Sequence, residues 1–257
     1  MPDIQKAAYL EALEKVPDIV EKETNTKMFL RCEHYNSQTA AERLAQHWKQ
    51  RKLLFGPERA FLPMTLEGAM KDDMFQLEQG FVVRNPNDAH GRPVVFLDRS
   101  NSTKSEHYDR DGWLRCMWYI VQTFANEEEY QKTGYVCIIN LKDYDANKSG
   151  DRIGAKKMFL YVRECWVPRF KAYHATYLSR QTPVKLVEPA IRQMQGPHIR
   201  LHLRNHYGYD SDNIEAMAKY GLKAEHLSKS IGGKQTLEDH LRWIEEQKAF
   251  EQKEPGE

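Results

Sequence analysis

The chain has 257 residues, enough to bury one substantial core with a small satellite unit attached. Its 38 Lys plus Arg nearly balance its 37 Asp plus Glu, for a formal net charge of +1, which excludes an overall field drawing it to nucleic acid or to an acidic membrane. No uncharged apolar run approaches the roughly 20 residues of a membrane span, and the opening MPDIQKAAYLEALEKV carries acids and lysines where a secretory leader needs apolar residues. A soluble cytoplasmic protein is expected, in which the sequons at Asn101 and Asn147 carry no glycan. Cys32, Cys116, Cys137 and Cys165 form no Cys-x-x-Cys pair, which fits reduced, buried thiols.

Residues 3 to 15 and 37 to 54 read as amphipathic helices. In the second, Ala40, Ala41, Leu44, Trp48 and Leu53 recur near helical spacing, and Ser37 is read as the N-cap. A shorter helix carrying TKMFLRC precedes it and LFGPE ends the group, giving a helical module over residues 1–58. From Gly80 the pattern changes. FVVRN and PVVFLDR flank the turn sequence PNDAHGR as a β-hairpin, a helix follows at about 110 to 128, and YVCIINL at 135 to 141 reads as an interior strand covered on both faces. Helix at 151 to 166, strand at 172 to 178, helix at 182 to 195 and strand at 198 to 204 complete an alternation that requires an α/β layer arrangement with parallel crossovers. The charged stretch after Gln247 is read as a solvated helix that frays.

Several short motifs fail their chemistry. IGGKQT at 231 to 236 lacks the first glycine and the Ser or Thr of a phosphate-binding loop. DANKSGD from Asp145 matches the start of a calcium loop, but the twelfth position is Lys156 where a bidentate Glu is needed. His198, His202 and His206 are spaced by four, yet on a strand Arg200 and Arg204 share the face of the first two and repel a metal cation, so a titratable, partly exposed strand face is expected. No nucleophile elbow or spaced carboxylate pair is present, and no enzyme activity, cofactor or metal is expected. Helix 182 to 195 carries an apolar stripe of Val184, Val187, Ala190, Ile191 and Met194 with Pro189 in its middle. It reads as an ordinary sheet-covering helix with a kink or as a lid that swings at its weakened centre. The paired glycines of EHLSKSIGG, residues 225 to 233, require a backbone turn that ordinary residues do not make.

Taken in order, these segments resemble the CRAL-TRIO, or Sec14-like, lipid-transfer family. KMFLRCEHYNSQTAAERLAQHWKQRK at 27 to 52 resembles part of its helical N-terminal module, with Phe29, Leu30, Arg31, Ala40, Leu44, Trp48 and Arg51 in matching places. GRPVVFLDRS, YVCIINLKDYD (Asn140 replacing the family Asp), WVPRFKAYHATYLS and YGLKAEHLSKSIGG resemble its successive strand and closing-turn motifs. The resemblance implies a mixed, mostly parallel sheet of about five strands flanked by helices, with a lipid-binding domain at 59–235 after the helical module and a charged helix or tail at 236–257. It further implies one lipid held in an apolar pocket. Its lining is expected from Tyr135, Cys137, Ile139, Tyr173, Ala175, Ile199, Leu201 and Leu203, and its gate helix is expected to close through Val184, Val187, Ile191 and Met194.

Arg169, Lys171 and Lys185 are the expected contacts to a lipid headgroup or membrane surface. Pro168 and His198 stand where phosphoinositide-handling members keep an acid and a Lys, and Tyr177-Leu178-Ser179 replaces Asn-Ala-Pro. The implied function is binding and transfer of a hydrophobic lipid by a monomer that meets membranes transiently and binds no nucleic acid. The alternative is a regulatory or membrane-targeting module of the same fold with little or no transfer.

Overall fold

The computed structural model describes residues 3–102, 104–142, 151–178 and 203–253. The chain begins with helices α1 (Asp3–Lys15), α2 (Pro17–Thr24), α3 (Thr26–Cys32) and α4 (Ser37–Arg59). The N-cap of α4 is Asn36 and not Ser37: the Asn36 side-chain oxygen accepts from the backbone N–H groups of Gln38 and Thr39, 3.1 Å each, and so satisfies two donors at the helix start. The helix also runs beyond residue 54. It breaks at Gly56 (φ +83°), and Pro57 opens the short continuation.

Trp48 and Arg51 bind this module together. The indole of Trp48 donates to Thr24 Oγ1 at 3.1 Å, and the buried Arg51 guanidinium lies over the Trp48 ring, pairs with Glu23 at 2.7 Å and donates to the carbonyl of Leu62. Glu23 in turn accepts the N–H of Met64 at 2.7 Å, so the charged pair pins the module to the chain that follows it.

After α5 (Met74–Glu78), strand β1 (Val82–Asn85) pairs antiparallel with β2 (Val94–Asp98). Short helix α6 (Arg99–Ser102), α7 (Arg110–Ala125) and α8 (Glu128–Thr133) lead to β3 (Tyr135–Asn140), and α9 (Arg152–Glu164) leads to β4 (Phe170–Tyr177). Strand β5 (Leu203–Tyr207) follows, reaching further along the chain than the expected 198 to 204, of which residues 198–202 lie outside the described residues. The sheet order is β1-β2-β3-β4-β5, with every pair after the first parallel. Each parallel step moves the same way across the sheet, and right-handed crossovers that all move one way place their helices on one face.

Side-chain alternation then divides the core in two. Val95, Leu97, Tyr135, Cys137, Ile139, Tyr173 and Ala175 join α7 and α9 in the larger cluster. Val94, Phe96, Val136 and Ile138 turn the other way, against Met217, Leu222, Leu227 and Ile231. This second face is covered by α10 (Asp210–Ala218) and the loop after it. Lys171 is an extra residue where the β3–β4 register shifts, since Tyr135 pairs with Phe170 but Val136 with Ala172.

The closing turn answers the demand of its two glycines. Gly232 has φ +86°, and a Cβ at Gly233 would overlap the carbonyl of Leu227. The Gly233 N–H reaches the Ser228 carbonyl at 3.0 Å, and Gln235 N–H reaches Leu227 O at 2.9 Å. One glycine supplies the left-handed conformation and the other the close approach that seats Leu227 and Ile231 beneath the sheet. The C-terminal helix α11 (Leu237–Glu251) does not fray into solvent after Gln247. Its Ile244 and His240 are buried, His240 Nε2 donates to Leu77 O at 2.8 Å, and Glu251 accepts from Tyr119 Oη and Leu66 N–H at 2.7 Å each. Burial raises the pKa of Glu251 against the pull of those two donors.

His206 is buried, in contrast to the exposed strand face expected from its spacing. On the α10 side of the sheet its ring stacks on His174 at 5.1 Å, the two nitrogens 2.8 Å apart, with Tyr220 edge-on to both. Burial first, then neighbouring charge, pushes His174 down to about 3 and His206 to about 4. The charges acting are Arg204 on both rings, and Arg92 and His206 itself on His174. Both rings are neutral in the fold, whereas in the unfolded chain they protonate near pH 6.5. Their contribution is complete above pH 6.5 and is lost as pH falls toward 4 and 3. Thermal unfolding is therefore expected to drop steadily in midpoint from pH 7 to pH 4, and His174→Leu/His206→Leu to flatten that slope. An unchanged slope in the double variant contradicts the assignment. At the closing turn, Gly233→Ala is expected to cost roughly 2 kcal/mol or more in urea unfolding, whereas Gly91→Ala, at φ +75° with open space around the glycine, meets backbone strain alone and costs less. Equal losses at the two sites contradict the close-approach account.

Candidate functional site

The face beneath α7 and α9 is built by register. Cys137 stands opposite Tyr173 and Ile139 opposite Ala175, while Tyr173 in turn pairs with Leu203 on β5 and Tyr177 with Tyr207. Alternation therefore brings Tyr135, Cys137, Ile139, Tyr173, Ala175 and Leu203 onto one apolar surface. Its two ends differ. At the N-terminal end of the strands the rings pack on one another: Tyr135 meets Phe124 and Phe170 at 5.6 Å each, and Tyr173 meets Phe170 at 5.8 Å and Phe159 of α9 at 5.9 Å. Toward the C-terminal end the lining shrinks to Ile139 and Ala175, before the stacked pair Tyr177 and Tyr207 at 5.2 Å, while the partly buried Leu203 lies at the level of Tyr173. Burial pushes the Cys137 thiol and the Tyr135 hydroxyl far up, so both are neutral at physiological pH. A thiol held in that form is an apolar contact and not a nucleophile.

A polar rim, unmarked in the sequence reading, closes the carboxyl ends of β2 and β3, the end at which open α/β sheets hold their ligands. Asp98 accepts from Asn140 Nδ2 at 3.1 Å, from Asn101 Nδ2 at 2.8 Å and from Asn101 N–H at 3.1 Å. An Asp at position 140 would set two carboxylates against each other here, whereas the Asn amide donates. Tyr108 Oη receives from Arg99 at 2.8 Å and donates to Asp151 Oδ2 at 2.7 Å, and Arg110 pairs with Asp151 at 2.6 Å. Burial works to raise the Asp151 pKa, but the Gly154 N–H, Tyr108 and Arg110 together hold it below the usual carboxylate value. The sequence signal available was a charged pair, Asp98-Arg99, ending a strand whose every residue is buried.

Arg169 is not a free surface cation. Its guanidinium donates to the carbonyl of Cys32, lies against His34 and stands 3.6 Å from Glu33, so it joins β4 to the end of α3. Lys171 is half-buried over Gly134 at the N-terminal end of the sheet, opposite to the polar rim. The residues expected to form a gate, Val184, Val187, Ile191 and Met194, together with Lys185, His198, Ile199, Leu201 and His202, lie outside the described residues, as do residues 143–150. Clefts lined by described residues lie elsewhere. One of about 470 Å³ lies between α4 and α9 and is bordered by Glu33, Glu42, Arg43 and Arg163. Another, of about 440 Å³, lies beyond the strand ends beside Lys142, Leu178 and Asp210. Neither lies on the apolar face.

Among the described residues no helix is long and apolar enough to cross a membrane, and no group of three or more His, Cys, Asp or Glu is placed to hold a metal ion. All four cysteines are free and buried.

No curated protein matches the sequence. Among solved structures, that titled "Crystal structure of Sfh5" resembles this chain with a TM-score of 0.59 at 12% identity, covering 97% of this chain and 98% of that one. This likeness shows a shared fold. The model of the CRAL/TRIO domain matches residues 77–184, which run from the end of α5 through β4. Residues 77–184 therefore carry a CRAL/TRIO domain.

Proposed function

We propose that this protein binds one hydrophobic lipid on the α7–α9 face of its sheet and carries it between membranes, with the segment bearing Val184, Val187, Ile191 and Met194 as the gate. The observation that carries the reading is the continuous apolar face assembled in register across β3, β4 and β5 within a CRAL/TRIO domain. The guest is assigned to the small side chains Ile139 and Ala175 and to Leu203 on the β5 side of the face, with Ile199 and Leu201 as further lining. Tyr135 is enclosed by protein rings and becomes a wall of the chamber. No covalent step is required. At roughly 25 cal/mol per Å², enclosing several hundred Å² of lipid tail offsets the loss of the bilayer environment by on the order of 10 kcal/mol, and a gate that opens at the bilayer and closes in water controls exchange. Lys171 and Lys185 are assigned to a passing contact with anionic lipid, a role from which Arg169 is withdrawn because its side chain is held at α3.

The ring-on-ring packing of Tyr135, Phe170, Tyr173 and Phe159 also favours a second reading, a module with a reduced pocket that acts through its surface. Ala175→Trp separates the two. Where a guest is accommodated beside Ala175, the indole occupies that space: lipid extraction from radiolabelled vesicles falls about tenfold while the urea midpoint changes little. Where the face is solid core, the same substitution overpacks it and costs about 1–3 kcal/mol. A large stability loss, or full extraction by the variant, contradicts the assignment of the guest. For the gate, Val187→Asp is expected to abolish extraction and leave the circular dichroism spectrum unchanged. Normal transfer by that variant removes the gate from the proposal.

A further inference from the structure

Three helical segments meet around Trp118: α4 through His47, α7 through Trp118 itself, and the chain leaving α9 through Trp166. The His47 and Trp118 ring centroids lie 5.0 Å apart and those of Trp118 and Trp166 5.9 Å, and the three residues are 3%, 1% and 2% exposed. His47 Nδ1 lies 3.1 Å from the carbonyl oxygen of Cys165. A carbonyl only accepts, so Nδ1 carries the proton and Nε2 keeps its lone pair. Burial, with Arg51 next in effect, pushes the imidazole down to about 3, so the ring stays neutral at physiological pH. Among the described residues Nε2 receives no hydrogen bond, and neither indole N–H, of Trp118 or of Trp166, finds an acceptor. Buried polar atoms are nearly always paired, and each one left alone keeps the cost of its lost hydration. Three in one ring cluster demand a partner.

Two donors and one acceptor are the complement of a hydroxyl oxygen, which has lone pairs for two N–H groups and one O–H to give. We propose that His47, Trp118 and Trp166 form an internal site for a single hydroxyl oxygen, which accepts from both indoles and donates to His47 Nε2. A carboxylate or an ether has no proton for Nε2, and an ammonium group has no lone pair for the indoles. The same oxygen has two sources, the alcohol group of a lipid guest or a trapped water. The first source rests on the lipid-carrier reading given above; the second does not. Because the cluster joins α4 to α7 and α9, its occupant also ties the N-terminal helices to the CRAL/TRIO domain.

The test follows the indole N–H signals of Trp118 and Trp166 in the full chain labelled with ¹⁵N, assigned through Trp118→Phe and Trp166→Phe. The protein is mixed with phosphatidylcholine vesicles carrying either oleyl alcohol or oleyl methyl ether. The site predicts both signals at downfield, hydrogen-bonded positions. If a lipid supplies the oxygen, the alcohol shifts them and the ether does not, and His47→Phe loses at least a fivefold preference for retaining the alcohol. If water supplies it, both signals show a cross-relaxation contact to water that neither additive alters. Both outcomes support the site, and the second persists even where no lipid is retained and the carrier reading fails. Upfield signals without a water contact overturn the proposal, as does the same shift from alcohol and ether. The wild-type comparison needs no substitution, so a variant that fails to fold leaves the test intact.

Discussion

The direction in which the sheet is wound constrains everything else in the molecule. Because each parallel step from β2 onward moves the same way, the right-handed crossovers place α7 and α9 on one face, and the opposite face must be covered by chain from elsewhere. That chain is α10 and the turn ending in Gly232 and Gly233. A doubly wound sheet would divide its crossover helices between the faces and leave a crevice at the point of reversal. The single winding instead concentrates apolar side chains from β3, β4 and β5 beneath one helical layer, the arrangement needed to enclose a large apolar guest.

The N-terminal helices contribute to that layer by completing α9. The last carbonyls of a helix lack intrahelical partners, and here α4 supplies them from the side. Arg43 donates to Arg163 O at 2.7 Å and to Trp166 O at 3.1 Å, and His47 donates to Cys165 O. A guanidinium at this position also opposes the partial negative charge of the helix end. Arg169 adds a fourth tie, from β4 to the carbonyl of Cys32. Phe159 of α9 packs on Tyr173 of the sheet, so the module that fixes the end of α9 also sets the wall of the apolar face.

Much of the architecture was legible because its signals are local. YVCIINL is apolar on both sides, and the structure buries every residue of β3; the turn residues between FVVRN and PVVFLDR give the β1–β2 hairpin; the α/β alternation gives the parallel sheet. The alternation on β3, β4 and the first residue of β5 also groups its residues on the face that the structure gives them, because period two survives as long as register does. What failed depends on distant partners. Asn36 displaced Ser37 as a cap because both residue types serve, and backbone geometry decides between them. Arg169 reads as a surface cation until α3 is seen to end beside it. The charged run after Gln247 hides Glu251, whose carboxylate is claimed by Tyr119, 132 residues away in sequence. His206 looked like part of a titratable exposed face because its stacking partner lies on another strand.

The central claim is that the face formed by Ile139, Ala175 and Leu203 holds a guest the size of a membrane lipid. Native mass spectrometry of the full chain, purified without detergent, tests it most directly. The account predicts a protein species carrying one lipid, released on collisional activation as a single mass class. A chain that is reproducibly lipid-free, and that stays so after incubation with mixed-lipid vesicles, contradicts it.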